Sequence, residues 1–437
     1  MSEVGQDIHA VAALAQASSS GPGTVWGWRK LLTLEDRIFT ERRLQIYGSG
    51  IIASYAAGIL LSWVLYRGVW AVLPDGTLSN IDFCWIWVSG KFAASSDPSR
   101  VYDHSAYAAA QGVFYRPGEC LFMHQFIYPP TFLFLSYPLG MMPYLVAFTM
   151  WVIATLLLYQ ATVWMVIPRA AAVLAAITPA AVKNIQLGHT GFLVAALIGL
   201  SLVFAERRRW LSGLFLGLLT FKPQYGVLFP LALLASRNWP ALASATATGG
   251  MLGLAAAFAF GSHDWPAFID TLFDRNAGLS PDQEVALSLQ SVYSLLYWAG
   301  AGTTIAWTVQ VGAAMLVALA IAITWAKPIA LRLKAALLCA SSVIVTPYVL
   351  AYDLCILSIA AAFLVSEGLS SGFLPGERVV ILVCWGILFL PAAPLAPFTC
   401  AALIFLIVRR IVASQRKNVA RSVASPSAGC GSVISNM

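Results

Sequence analysis

Apolar stretches recur along this chain from about residue 45 to residue 411, many of them long enough to span a bilayer, and that pattern removes nearly every soluble fold. A helix needs about 20 apolar residues, within a range of roughly 17–25, to cross a membrane. Backbone N–H and C=O groups find no water in lipid, so such segments must satisfy them internally, as helices. A β-barrel would need short alternating segments of about ten residues, and none is present. Charge agrees. Only 10% of the residues are Asp, Glu, Lys or Arg and 59% are hydrophobic, against about 25% charged in a soluble domain. The expected fold is an all-α polytopic membrane protein.

The first segment, 45–67, follows Glu41-Arg42-Arg43, which places the N-terminus inside. A long external loop, 68–127, then carries Trp85, Trp87, Tyr102, Tyr107, Phe114 and Tyr115, aromatic residues suited to interfacial helices at headgroup level. Further apolar segments are read at 129–142, 144–167, 170–183, 189–206, 210–222, 224–236 and 240–261. A second external loop, 262–289, is acidic, with Asp264, Asp270, Asp274, Asp282 and Glu284, and 290–302 is read as an interfacial turn. The remaining segments are 303–326, 335–347, 349–366, 378–392 and 395–411.

With 170–183 as a re-entrant half-span, these segments give a bundle of about 12 transmembrane helices plus short and re-entrant ones, with both termini cytoplasmic. That arrangement puts about 18 of the 26 Lys and Arg on the cytoplasmic side. A full crossing by 170–183 would instead place Arg207-Arg208-Arg209 outside. Residues 45–411 thus form one membrane domain. Residues 1–44 and 412–437 are read as largely disordered cytoplasmic tails, and 1–25 lacks the apolar core of a cleavable signal. The net charge of +7 does not point to nucleic acid, because the basic residues sit in short runs beside apolar segments, such as Arg42-Arg43 and Arg409-Arg410.

Under this topology the unusual polar residues gather at the external surface. They are Asn80-Ile81-Asp82-Phe83, Val101-Tyr102-Asp103, His124 with Ile127-Tyr128-Pro129-Pro130, and Gln186-Leu187-Gly188-His189. Phe221-Lys222-Pro223-Gln224, Gln290-Ser291-Val292-Tyr293, Thr346-Pro347-Tyr348 and Tyr352-Asp353 complete the set. Ionisable groups at membrane depth are expensive and are functional candidates by default. Each has a plainer role to weigh. Asp82 can cap an interfacial helix, Lys222 can snorkel to headgroups, and Asp353 can pair with a cation or cap a helix. His124 and His189 can be packing residues, and Tyr128-Pro129-Pro130 can set a helix entry.

Other chemistries lack support. No phosphate-binding loop, dinucleotide fingerprint or nucleophile elbow is present. The five histidines and seven cysteines are scattered without metal or Cys-x-x-Cys spacing. Cys84 and Cys120 share the external loop, where a disulfide is one option and two separate thiols the other.

Taken in order, these elements resemble glycosyltransferase family 87, the polyprenol-phosphate-mannose-dependent mannosyltransferases of the membrane GT-C class. The resemblance is carried by the loop Asp, Val-Tyr-Asp, Tyr-Pro-Pro with Pro-Leu-Gly, Gln-Leu-Gly-His, Thr-Phe-Lys-Pro-Gln, Gln-Ser-Val-Tyr and Thr-Pro-Tyr with Tyr-Asp. It implies a GT-C-type bundle that inverts the anomeric centre while moving a sugar, usually mannose, from a polyprenyl monophosphate to a lipid or glycan acceptor at the periplasmic face of the inner membrane. Asp82 matches the family's catalytic carboxylate, and Lys222 matches the Lys-Pro element that contacts the donor phosphate. Gln186, His189, His124, Gln224, Tyr128, Gln290, Tyr348, Asp353 and Asp103 are the further candidate substrate contacts. The chain departs from the family where His189 follows Gly188, a place where a Gly-Gln pair is expected.

The residues suit that chemistry. An inverting transfer needs one base on the acceptor side and a stabilised leaving group. Asp82 supplies the base, and Lys222, with His124, His189 or Arg275, opposes the charge growing on the phosphate. No cofactor and no metal is expected. The partners are the lipid-linked donor, the acceptor and membrane lipid, with no nucleic acid, and the chain is read as a monomer. A transporter or lipid flippase is the main competing reading, but it calls for inverted repeats and an ionisable path across the bilayer, which the sequence does not show. A lipid-linked-glycan polymerase or ligase is another, and it fits poorly with an external loop, 262–289, that is net acidic.

Overall fold

The computed structural model describes residues 82–114, 125–167, 178–273, 288–387 and 394–424, together with Ala175 and isolated positions between 43 and 61. Among the described residues every regular element is helical. The expected 45–67 segment therefore falls largely outside them, as do His124, Cys120 and Arg275.

The described part of 68–127 opens with α1 (Phe83–Ala93), a 3-10 turn at Pro98–Tyr102 and α2 (His104–Gln111). Then follow α3 (Leu133–Gly140), α4 (Tyr144–Val166), α5 (Pro179–Leu187), α6 (Gly191–Phe204), α7 (Arg209–Gly217), α8 (Leu228–Ala235) and α9 (Trp239–Ala259). The second half holds α10 (Asp264–Phe273), α11 (Val292–Trp298), α12 (Thr303–Ala326), α13 (Leu331–Val345), α14 (Cys355–Ser371), α15 (Glu377–Ile387) and α16 (Ala396–Ala424).

Among the described residues, five helices are long and apolar enough to cross a membrane: Tyr144–Val166, Trp239–Ala259, Thr303–Ala326, Ala351–Ser371 and Ala396–Arg416. Their apolar surface is not all buried. Phe258 is 89% exposed, Leu316 70% and Leu254 64%, a surface that suits lipid tails and not water. The long helices frame a tight core in which α6 and α13 bury most of their residues and α14 about half, from Phe192 and Ile198 through Leu338 to Ile359.

Short helices between the long ones have local causes. Gly217 passes into a 3-10 turn, Leu218–Phe221, and the chain breaks at Lys222. Pro223 lacks an N–H and keeps the residue before it out of the helical region. Lys222 accordingly sits at φ −135° and ψ 66°. A second 3-10 turn, Pro223–Tyr225, leads into α8. The same happens after Val345, where Thr346 is extended and the chain bends at Pro347 before a 3-10 turn at Ala351–Leu354 restarts the helix. The segment 170–183 is described only at Ala175 and from residue 178 onward. There Thr178 caps α5 through the Ala181 N–H, and Pro179 begins the helix. Nine residues rise only about 13 Å.

Helix α1 is bolted to α3 by backbone contact. A Cβ on Gly90 would lie 2.1 Å from the Ser136 carbonyl oxygen, and one on Gly140 would lie 2.2 Å from the Gly90 carbonyl carbon. Trp87 adds a hydrogen bond from Nε1 to the Met142 carbonyl, 2.9 Å. At the far end of α14, Glu377 and Arg410 form a buried pair, and both are closed in by the chain around Ser371-Gly372.

Candidate functional site

Asp82 occupies the position before α1, yet its side chain makes no capping bond there. The plainer role of helix cap is thereby set aside. The carboxyl is instead turned into a partly buried setting with Lys222 as its strongest charged neighbour, followed by Asp353 and Lys183. Burial pushes it up to about 6, Lys222 opposes that rise, Asp353 adds to it and Lys183 opposes it. Its place is fixed by Phe83, whose ring meets Tyr144 and Phe148 at 5.4 Å each. Gly188, left-handed at φ 66°, ends α5 against that same cluster, and a Cβ there would lie 2.9 Å from the Phe83 Cβ.

Lys222 and Asp353 lie 131 residues apart in sequence and meet at 2.8 Å, both buried. Each comes from a helix break described above, where a proline or an extended stretch frees the chain to turn inward. The ammonium also lies 5.2 Å from the centre of the Tyr352 ring, 5.8 Å from Tyr225 and 6.0 Å from Tyr128. Three π-faces and one carboxylate thus hold a cation in a low-dielectric setting. Asp353 also accepts from the Leu350 N–H, 3.4 Å.

His189 joins the cluster. It is 3% exposed and stacks on Tyr352 with ring centres 4.0 Å apart. The Thr190 backbone N–H donates to its Nδ1, 2.8 Å, so the ring proton belongs on Nε2. That nitrogen lies 3.2 Å from the Tyr128 hydroxyl. The histidine that departs from the family pattern is therefore a fixed donor, and it ties Tyr128 into the site.

The structure thus brings together Asp82, Tyr128, His189, Lys222 and Asp353. Gln224 follows at the next turn of the same break, half-buried. Tyr348 is reached through its carbonyl, which accepts from the Tyr225 hydroxyl at 3.3 Å. Gln186 sits on the exposed face of α5. Gln290 uses its backbone N–H on the Val349 carbonyl, 2.7 Å, and the neighbouring Ser291 caps α11. Asp103 caps α2 by accepting from the Ser105 and Ala106 N–H groups through Oδ1, bonds that hold its carboxyl below the ordinary range. These last two positions do local structural work.

Sequence reasoning passed over Lys183 and Tyr225, and it named Tyr352 only as the neighbour of Asp353. Lys183 shares the exposed face of α5 with Gln186 three residues on, and its charge reaches Asp82. It also passed over the setting of Asp264, which is fully buried, with neither carboxylate oxygen hydrogen-bonded among the described residues. Burial pushes that carboxyl up to about 6. Among the described residues no three His, Cys, Asp or Glu side chains converge as metal ligands.

A family model described as glycosyltransferase family 87 matches residues 126–351, more than half of the chain. The match covers Tyr128, His189 and Lys222. Asp82 lies before it and Asp353 two residues beyond it. No curated protein and no solved structure matches the chain.

Proposed function

Because the chain belongs to glycosyltransferase family 87, we propose that it transfers a sugar, mannose in the first instance, from a polyprenyl-phosphate carrier to a hydroxyl of a lipid or glycan acceptor. The reaction takes place at the periplasmic face of the inner membrane and inverts the anomeric centre. The bundle of about 12 crossings with both termini cytoplasmic belongs to the same proposal, as does a monomeric enzyme that needs no metal.

One observation carries the mechanism: an uncapped, partly buried carboxylate, Asp82, beside a caged Lys222–Asp353 pair. The Asp82 carboxylate takes the acceptor O–H proton while that oxygen attacks the anomeric carbon. The bond from this carbon to the phosphate oxygen breaks with its electron pair, and polyprenyl phosphate departs. A carboxyl lifted to about 6 is mostly ionised at neutral pH and still basic enough to draw a proton in the transition state.

Charge accounting divides the work on the leaving group. Asp353 already neutralises Lys222, so that pair presents an oriented dipole rather than a free cation. Lys183 is exposed and close enough to act on Asp82. It supplies the mobile positive charge, while Lys222 and the Nε2–H of His189 set the fixed field.

Incubating the purified protein with labelled polyprenyl-phosphate sugars and total membrane lipid tests this reading. The wild type produces a labelled lipid or glycan. Asp82→Asn loses at least about a thousandfold in transfer while expressing and folding normally. Persisting transfer in Asp82→Asn would remove the mechanism.

A further inference from the structure

Outside the Asp82 cluster lies a concavity that the mechanism does not use. It is an open cleft of about 720 Å³ between the two external loops, within the roughly 300–1,000 Å³ typical of small-ligand sites. One wall is the stretch 98–104, which presents Arg100, Tyr102, Asp103 and His104. The other is the start and outer face of α10, which presents His263 and Asp270. The walls are held in register by rings. Tyr102 meets Phe126 at 5.4 Å and Phe268, on the inner side of α10, at 6.2 Å.

We propose that this cleft binds the neutral saccharide portion of the acceptor and delivers its terminal hydroxyl toward Asp82. Three features support the assignment. The rim mixes donors and acceptors, one guanidinium with two imidazoles and two carboxylates, which matches hydroxyls that both donate and accept. Its formal charge with neutral histidines is one positive against two negative, which disfavours phosphates and uronic acids. Among the described residues the Asp103 cap uses only Oδ1, so the second carboxylate oxygen remains open to a ligand.

Tyr102 supplies the connection to the chemistry. Its ring lines the cleft, and its hydroxyl donates to the Tyr128 carbonyl at 2.8 Å. Tyr128 in turn meets His189 at 3.2 Å and lies 6.0 Å from the Lys222 ammonium. A glycan seated in the cleft is thus one residue away from the reacting cluster. The delivery step rests on the transferase reading. Saccharide binding does not.

The test uses full-length protein in lipid nanodiscs, read by ligand-observed NMR with three neutral trisaccharides, mannotriose, maltotriose and galactotriose, and with anionic trigalacturonate. The wild type binds at least one neutral trisaccharide, and His263→Ala/Asp270→Asn weakens it at least tenfold, with trigalacturonate bound more weakly throughout. No neutral binding, binding unchanged in the variant, or a preference for trigalacturonate would each overturn the site. In the transfer assay the same variant raises the acceptor KM at least tenfold and leaves the donor KM unchanged. An unchanged acceptor KM beside lost binding would overturn delivery. A wild type that transfers nothing would sink the transferase reading and the delivery step together, and the binding arm would still decide the cleft.

Discussion

Two buried ion pairs sit at opposite ends of α14, about 25 Å apart along its 17 residues, and they are built differently. At the far end Arg410 is saturated. Its Nε and one terminal nitrogen donate to the two oxygens of Glu377, and its other donors reach the Ser371 hydroxyl and the Gly372 carbonyl. Glu377 additionally accepts from the Leu374 N–H at 2.9 Å. At the near end Lys222 makes one short bond to Asp353, and its other N–H directions meet tyrosine rings. A planar guanidinium satisfied on every side is a lock. An ammonium with one firm partner and soft π-faces keeps donor capacity that the guanidinium has spent. In the proposed mechanism, the difference separates charge used for assembly from charge held for chemistry.

The largest effect expected is at the near pair. Lys222→Met/Asp353→Asn removes both charges and keeps most of the packing volume, and transfer falls at least about a hundredfold. Its melting temperature in detergent stays close to the wild type, because no buried charge is left unpaired. A collapse of folding with no separate effect on transfer would make the two pairs equivalent.

Arg410→Met should do the reverse. It strands Glu377 and costs about 3–5 kcal/mol of stability, seen as loss of monodisperse protein on size exclusion. Arg410→Met/Glu377→Leu recovers most of that loss, and recovered protein retains transfer. A double variant that folds yet is inactive would assign the far pair a part in the chemistry.

A moderate effect is expected from pH. Asp82 must be ionised to act as base, and its carboxyl is lifted to about 6. The kcat/KM for transfer therefore falls about tenfold per unit below pH 6 and levels off above it. A flat profile between pH 5 and 8 would separate the base from Asp82. The smallest effect is expected at Asp103, whose capping bonds are solvent-exposed. Asp103→Ala lowers the melting temperature by no more than about 2 °C, measured by a thermal shift of the purified protein.

Much of the frame was legible in the sequence, for identifiable reasons. The segment 303–326 coincides with α12, and 144–167 exceeds α4 by one residue, because long uniform apolar runs leave helix and length as their main freedoms. The break at Lys222 was readable from Pro223. The pairing of Lys222 with Asp353 was not, since nothing local in either motif specifies a partner 131 residues away. The capping role of Asp103 was not legible from Val-Tyr-Asp, because the N–H groups of Ser105 and Ala106, not the motif, decide the bonds of its Oδ1. Lys183 escaped because sequence does not show which face of a nine-residue helix meets the site. The expected count of about 12 crossings is not reached by the five long helices among the described residues, and the shorter ones, broken at proline and in 3-10 turns, do not declare their depth by length.

The crossing of Gly90 and Gly140 has a consequence for how turnover is gated. Two backbones in direct contact leave no slack between α1 and α3, so the residue at the head of α1 stands like a fixed electrode and not like a tool on an arm. In the proposed mechanism, substrates of different bulk are sorted by their route of approach, since the carboxylate proposed as base does not retreat to admit them. Diversification of acceptor choice is then a matter of reshaping the rim, with the stationary pole left where it is.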